Sequence, residues 1–303
     1  MFYLRKDSII NNFKKYQPNI YRNCNKAVTK AKYKNNVYYL NKQAFSKVTA
    51  KSFETYLPLQ NVFKTAIIPY QGELAGDVLQ TPFAKAILLP DTVGTLLLVD
   101  ANCTPMTRAW CVLEAWVTTI KATGKRFDVA AMIPEKRYQY GGKAIEPGPA
   151  LRMDLGNGAH KDVVGPENGW FPGTVATAGV AVKVENADAS QKKDLESILR
   201  ILAGSDKDAP PPAHCQGYDA VNKAYHALFR GPAMYEFAMH GKLEELRQLL
   251  EAGSEGVHYM NAGDGATPLF IAAQEGQEKC VQLLLGAGAK VDQAKNNGVT
   301  PLF

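Results

Sequence analysis

"GATPLFIAAQEGQEKCVQLLLGAGAKVD" (265–292) is followed at 298–303 by "GVTPLF", so that Gly265 and Gly298, Thr267 and Thr300, and Pro268 and Pro301 each stand 33 residues apart. A fixed period of that size is the mark of a repeat architecture, in which one supersecondary unit recurs along the chain. Within the period, Ala272 and Ala273 are small enough for two helices to approach closely, and Gly276 breaks the first of them. Val281, Leu284 and Leu285 place an apolar stripe on the second helix. Gly286 and Gly288 then stop it, because glycine accepts the left-handed conformation of a helix end.

Upstream, "AMYEFAMHGKLEELRQLLEAG" (233–253) follows the same plan, with Leu243, Leu246, Leu249 and Leu250 on one helical face between Gly241 and Gly253. Gly241 and Gly276 are 35 residues apart, which puts two extra residues in the connecting loop near Ser254–Val257. Thr267-Pro268-Leu269 matches the T-P-L-H signature of the ankyrin repeat, with Phe270 in place of the histidine. Residues 232–303 closely resemble that family. The resemblance implies an all-α solenoid in which neighbouring units must stack, because no unit can bury its apolar face alone. It also implies another protein as partner, held by hairpin tips and a concave helix face. Asn261, Asp264, Gln274, Glu275 and Asn297 project there by analogy. Phe303 stands where the next helix should begin, so the array is expected to continue in a longer protein.

The segment 61–230 reads as an α/β domain. "TAIIP" (65–69), "VGTLLLVD" (93–100), "FDVAAMIP" (127–134) and "VAVKV" (180–184) are strand-like, and the second is apolar throughout, as in a strand buried on both faces. Helices are expected after Thr81-Pro82 and Thr104-Pro105, from the cap and first-turn signals. A further helix follows Ser190, and another spans 218–229 and ends at Gly231-Pro232. Alternating strand and helix predicts a mainly parallel sheet with helices outside. The Gly/Pro-rich stretch 141–173 reads as an insertion, and residues 1–60 as a basic leader or a partial first α/β unit.

In "RAWCVLEAW" (108–116), Trp110, Cys111 and Glu114 match the W-C-x-x-E motif that TIR domains carry at the start of the helix after their third strand. "GELAGDVLQTPFAKAIL" (72–88), with Leu74 and Gly76, is similar to that family's upstream loop and helix. The domain therefore resembles a TIR-like, flavodoxin-like fold, and its combination with ankyrin repeats resembles proteins of unicellular algae. "NVYYLNK" (36–42) is a poor match to the family's D-x-F-I-S strand, and the 141–173 stretch has no counterpart in it. The resemblance implies a signalling or assembly domain capable of self-association. Alternatively it implies an NAD glycohydrolase in which Glu114 stabilises the positive charge that develops as nicotinamide leaves ribose. NAD would then be a substrate, and neither reading requires a cofactor. A glutamate at this position can equally border the apolar stripe of an ordinary packed helix.

Charge and cysteine content narrow the remaining classes. Residues 1–70 hold 13 Lys/Arg against Asp7 and Glu54, while the remainder holds 22 Lys/Arg against 27 Asp/Glu. The basic arm has no nucleic-acid motif, so a solvated leader is expected and nucleic acid is not the expected partner. Few serines and only Arg5 and Arg22 argue against a transit peptide. The five cysteines form no C-x-x-C pair, which excludes a disulfide framework and fits a cytoplasmic protein. No apolar run reaches the ~18 residues of a membrane span. His214-Cys215 lacks further ligands nearby for a metal. "LGNGAHK" (155–161) lacks the Gly-Lys-Ser/Thr ending of a phosphate loop and reads as a polar turn.

Overall fold

The computed structural model describes residues 2–5, 28–33, 36–41, 79, 81–90, 92–122, 124–133, 137–138, 144–145, 148–156, 159–164, 171–206 and 208–301. The expected strand at 65–69, Leu74, Gly76 and Phe303 lie outside them. The chain divides into two compact units that do not follow the expected boundary at 230/231. The first takes residues 1–100, 104–130 and 183–222; the second takes 101–103, 131–182 and 223–303.

In the first unit, strands β1 (Phe2–Arg5), β2 (Val28–Tyr33) and β3 (Asn36–Asn41) precede helix α1 (Pro82–Leu88) and strand β4 (Thr92–Val99). Next come helix α2 (Ala109–Trp116) and strand β5 (Arg126–Ile133). The strand order is β2-β3-β1-β4-β5. β1 is antiparallel to both β3 and β4, and β2 is antiparallel to β3. The sheet is therefore mixed and not mainly parallel. The apolar pattern at 93–100 correctly marks a buried strand, since Leu96, Leu97, Leu98 and Val99 are all buried. Burial on both faces does not fix strand direction, however, because an antiparallel sheet covered on both sides carries the same pattern.

Thr81 caps α1 by accepting from the Ala84 N–H at 3.4 Å, with Pro82 at the first helical position. The Thr104-Pro105 signal is used by a 3-10 turn over Thr104–Thr107, and α2 starts only at Ala109. α2 closes in a π turn, with the Ala122 N–H donating to the Val117 carbonyl at 2.8 Å.

The second unit holds a short ribbon of β6 (Arg137–Tyr138) and β7 (Ala144–Ile145), then β8 (Gly148–Gly156) and β9 (Ala159–Val164), paired antiparallel. The stretch 141–173, read as an insertion, contains a β-hairpin. α3 (Gly173–Ala181) follows. The expected strand at 180–184 is instead the end of α3, an extended Val182–Lys183 and, in the first unit, a 3-10 turn at Val184–Asn186. Gly179 of α3 packs close to Phe229: a β-carbon there would meet its ring at 2.6 Å.

α4 (Lys192–Ala203) belongs to the first unit and packs on α2 there. Its expected cap, Ser190, instead accepts from the Arg108 guanidinium at 3.3 Å. α5 (Gln216–Met239) runs straight through Gly231-Pro232, where the sequence predicts an end. α6 (Leu243–Glu251), α7 (Pro268–Gln274) and α8 (Glu278–Gly286) complete the chain. Among the described residues no helix is long and apolar enough to cross a membrane.

Candidate functional site

The two helical pairs of the second unit repeat bond by bond. At the end of α5 the Gly241 N–H donates to the Ala238 carbonyl and the Lys242 N–H to that of Phe237. Leu243 then donates to Gly241, and Leu246 to Lys242. Thirty-five residues on, Gly276 donates to Ala273, Gln277 to Ala272, Glu278 to Gly276 and Val281 to Gln277. The turns are the same because Gly241 and Gly276 share a left-handed backbone, φ 63° and 66°. Behind each turn the second helix buries Leu246 and Leu249 in one copy and Cys280 and Leu284 in the other, while Leu285, expected on the same stripe, is exposed.

The loops between pairs also recur. Asp264 Oδ1 accepts from the Ala266 N–H at 3.1 Å, and Asn297 Oδ1 accepts from the Val299 N–H at 3.2 Å, one period later. Thr267 caps α7 by accepting from the Phe270 N–H at 3.1 Å. Asp264 further accepts from the Asn261 amide at 2.9 Å and pairs with Lys295 at 3.4 Å. Lys295 is only 8% exposed and lies over the Phe270 ring at 4.5 Å. Successive loops are thereby tied together by a carboxylate and a largely desolvated ammonium.

Of the expected partner-binding residues, Gln274, Glu275 and Asn297 are exposed, and the Gln274 amide donates to Glu275 at 3.0 Å. Asp264 is half-buried. Asn261 is only 3% exposed, and its carbonyl oxygen accepts from the Gly263 and Asp264 N–H groups. Its role is to close the loop from within.

Beside these loops lies a cavity of about 240 Å³ whose walls include Phe171, Tyr235, Glu236, Met239, Tyr259 and Asn261. The rings of Tyr235 and Tyr259 meet edge to face, 6.2 Å apart at 80°. Burial pushes the Tyr235 phenol well above its usual range, and the nearby charges of Asp264, Glu236 and Glu275 push it further the same way. The sequence reading missed this cavity. Its one available signal was the aromatic at 235, 35 residues before Phe270; Tyr259 sits just beyond the extra-length loop, where the period gives no guidance.

A buried polar cluster supports the cavity's outer wall. Pro232 has no N–H, so the Leu228 carbonyl four residues earlier loses its helical donor. Arg152 of β8 supplies one through Nε, and its guanidinium also pairs with Asp162 of β9. Tyr259 donates its hydroxyl to the same Asp162, and Arg152 lies over its ring at 5.3 Å. This is why α5 continues through a proline.

In the first unit, Glu114 is 6% exposed on α2, and its backbone carbonyl accepts from Thr118 Oγ1 at 2.8 Å. The Trp110 indole N–H reaches Asp194 of α4 at 3.3 Å. Burial pushes the Cys111 thiol up, and the Glu114 charge adds to that, so the thiol is kept protonated. Thr118 Oγ1 also lies 2.7 Å from Thr95 Oγ1. Among the described residues, no group of His, Cys, Asp and Glu is placed to hold a metal ion.

The family model for ankyrin repeats matches residues 187–295 in three copies. The match begins at residue 187, upstream of residue 232 where the sequence reading starts the array, and the added stretch covers α4 and the start of α5. A curated protein of Caenorhabditis elegans, "Ankyrin repeat and KH domain-containing protein mask-1", is 26% identical over 115 residues. The aligned part is 38% of this chain and 4% of the length of that protein. The C-terminal part of the chain is thus built of ankyrin repeats, a module that supports protein–protein interaction.

Proposed function

We propose that this chain is an intracellular scaffold protein that holds a protein partner on the loop tips and exposed helix ends of its ankyrin repeats. The bond-by-bond recurrence of the helical pair carries this reading, because it makes a regular surface whose polar edge (Gln274, Glu275, Asn297) is free of the core. The scattered cysteines, with no C-x-x-C pair, fit a reducing, cytoplasmic setting. The upstream α/β unit then serves as a TIR-like signalling or assembly domain, supported by the Trp110-Cys111-x-x-Glu114 motif on a helix after a buried strand. Self-association would pass through that unit.

Binding by the array is tested with the full chain and Leu284→Ala, which loosens the stack without touching the surface. A partner captured by the wild type should be lost from the variant. Undiminished capture would refute the reading.

The same motif supports a second reading, NAD cleavage with Glu114 against the ribose and NAD as substrate. Its burial weighs against this, because a substrate has to reach the carboxylate. Nicotinamide release by the wild type that disappears in Glu114→Ala would establish the glycohydrolase; no release from a folded wild type would end it.

A further inference from the structure

Resting on the partner-binding reading, we infer that the cavity walled by Phe171, Tyr235, Tyr259 and Glu236 is a specificity pocket for one basic side chain, a lysine or arginine presented by the partner. Volume is the first argument. At about 240 Å³ it falls below the roughly 300–1,000 Å³ of sites for whole small ligands, and suits a single side chain. Chemistry is the second. Tyr235 and Tyr259 offer two nearly perpendicular aromatic surfaces, the arrangement in which a cation meets one ring face while its stem lies against the other. Met239 and Phe171 supply apolar wall for a methylene stem.

Charge is the third. Glu236 is the carboxylate of the wall, held between His240 Nε2 at 3.3 Å and the first residue of α3, where a β-carbon on Gly173 would fall 2.0 Å from Oε2. A carboxylate accepts up to about four hydrogen bonds, so these neighbours leave it capacity for a donor from the cavity. Asp264, Glu236 and Glu275 all lie close enough to raise the Tyr235 phenol. Arg152, over the Tyr259 ring, is paired with Asp162.

A free small amine would satisfy the same chemistry. A partner's side chain is favoured because the wall residues Met239 and His240 occupy the positions that Gln274 and Glu275 occupy one unit later, on the edge proposed to meet the partner.

The test titrates the full chain with N-acetyl-lysine methylamide and N-acetyl-arginine methylamide, reading the NMR shifts of the Tyr235 and Tyr259 rings. N-acetyl-norleucine methylamide, the lysine stem without its ammonium, and tetramethylammonium are run beside them. Saturable shifts with the two basic probes, absent with norleucine, are expected. In Glu236→Gln the apparent affinity should fall about 10-fold, the loss expected when a charged hydrogen-bond partner is removed. Equal response to norleucine overturns the pocket, and so does an unchanged affinity in a folded Glu236→Gln. Tetramethylammonium binding more tightly than both basic probes would assign the cavity to a free amine and overturn the partner assignment. Capture of the partner lost in Leu284→Ala but kept in Glu236→Gln leaves array binding standing and removes the pocket; capture kept in both removes the array reading itself.

Discussion

Replacing Asp264 by alanine removes an acceptor used by Ala266 and Asn261 and the counter-charge of the buried Lys295. A loss of about 1–3 kcal/mol is expected in urea unfolding, with a smaller loss for Asn297→Ala, whose turn is exposed. Equal effects would contradict the role given to Asp264. Arg152 carries more. Arg152→Leu strands Asp162 without its cation and leaves the Leu228 carbonyl without a donor, at about 3–5 kcal/mol. Arg152→Lys should not rescue it, since an ammonium cannot reproduce the forked geometry. Burial also raises the Tyr218 phenol to about 12, with Cys215 and Glu185 adding to it, and raises those of Tyr235 and Tyr259. The folded chain therefore keeps protons that an unfolded chain releases near pH 10. That stability is complete below pH 10 and is lost as pH rises from 10 through 12. A thermal midpoint that stays level across that window would count against these burials.

Helix-to-helix turns carry the predictions one level up. Gly276 has open space around its α-carbon, so Gly276→Ala tests backbone conformation alone and should cost about 1–2 kcal/mol, with asparagine costing less. Leu284→Ala removes a fully buried side chain and should cost about 2–5 kcal/mol. Both effects are readable from the sequence, because turn glycines and the leucine stripe are local signals. What the sequence hid at this scale is non-local. Pro232 signals a helix end only until Arg152, 80 residues earlier, is known to satisfy the carbonyl that the proline frees. Val180–Val184 reads as a strand, whereas its residues are split between the end of α3, two extended residues and a 3-10 turn. Asn261 reads as a loop-tip residue because loops are usually exposed, whereas its amide is the loop's internal brace.

Across the molecule, the repeat half was legible because a period announces itself without any knowledge of contacts. Its upstream start was not, since the long α5 erases the glycine punctuation that marks the later units. Sheet direction in the α/β half was not legible either, as apolar runs are silent on pairing. The central claim is that the ankyrin repeats hold a protein on the edge carrying Gln274. It is tested most directly by placing a photo-crosslinking p-benzoylphenylalanine at Gln274, and separately at Gln282 on α8, both exposed positions. Irradiation with the captured partner should give a covalent adduct from position 274 and none from 282. Adduct from 282 alone, or equal yields from both, would contradict the account.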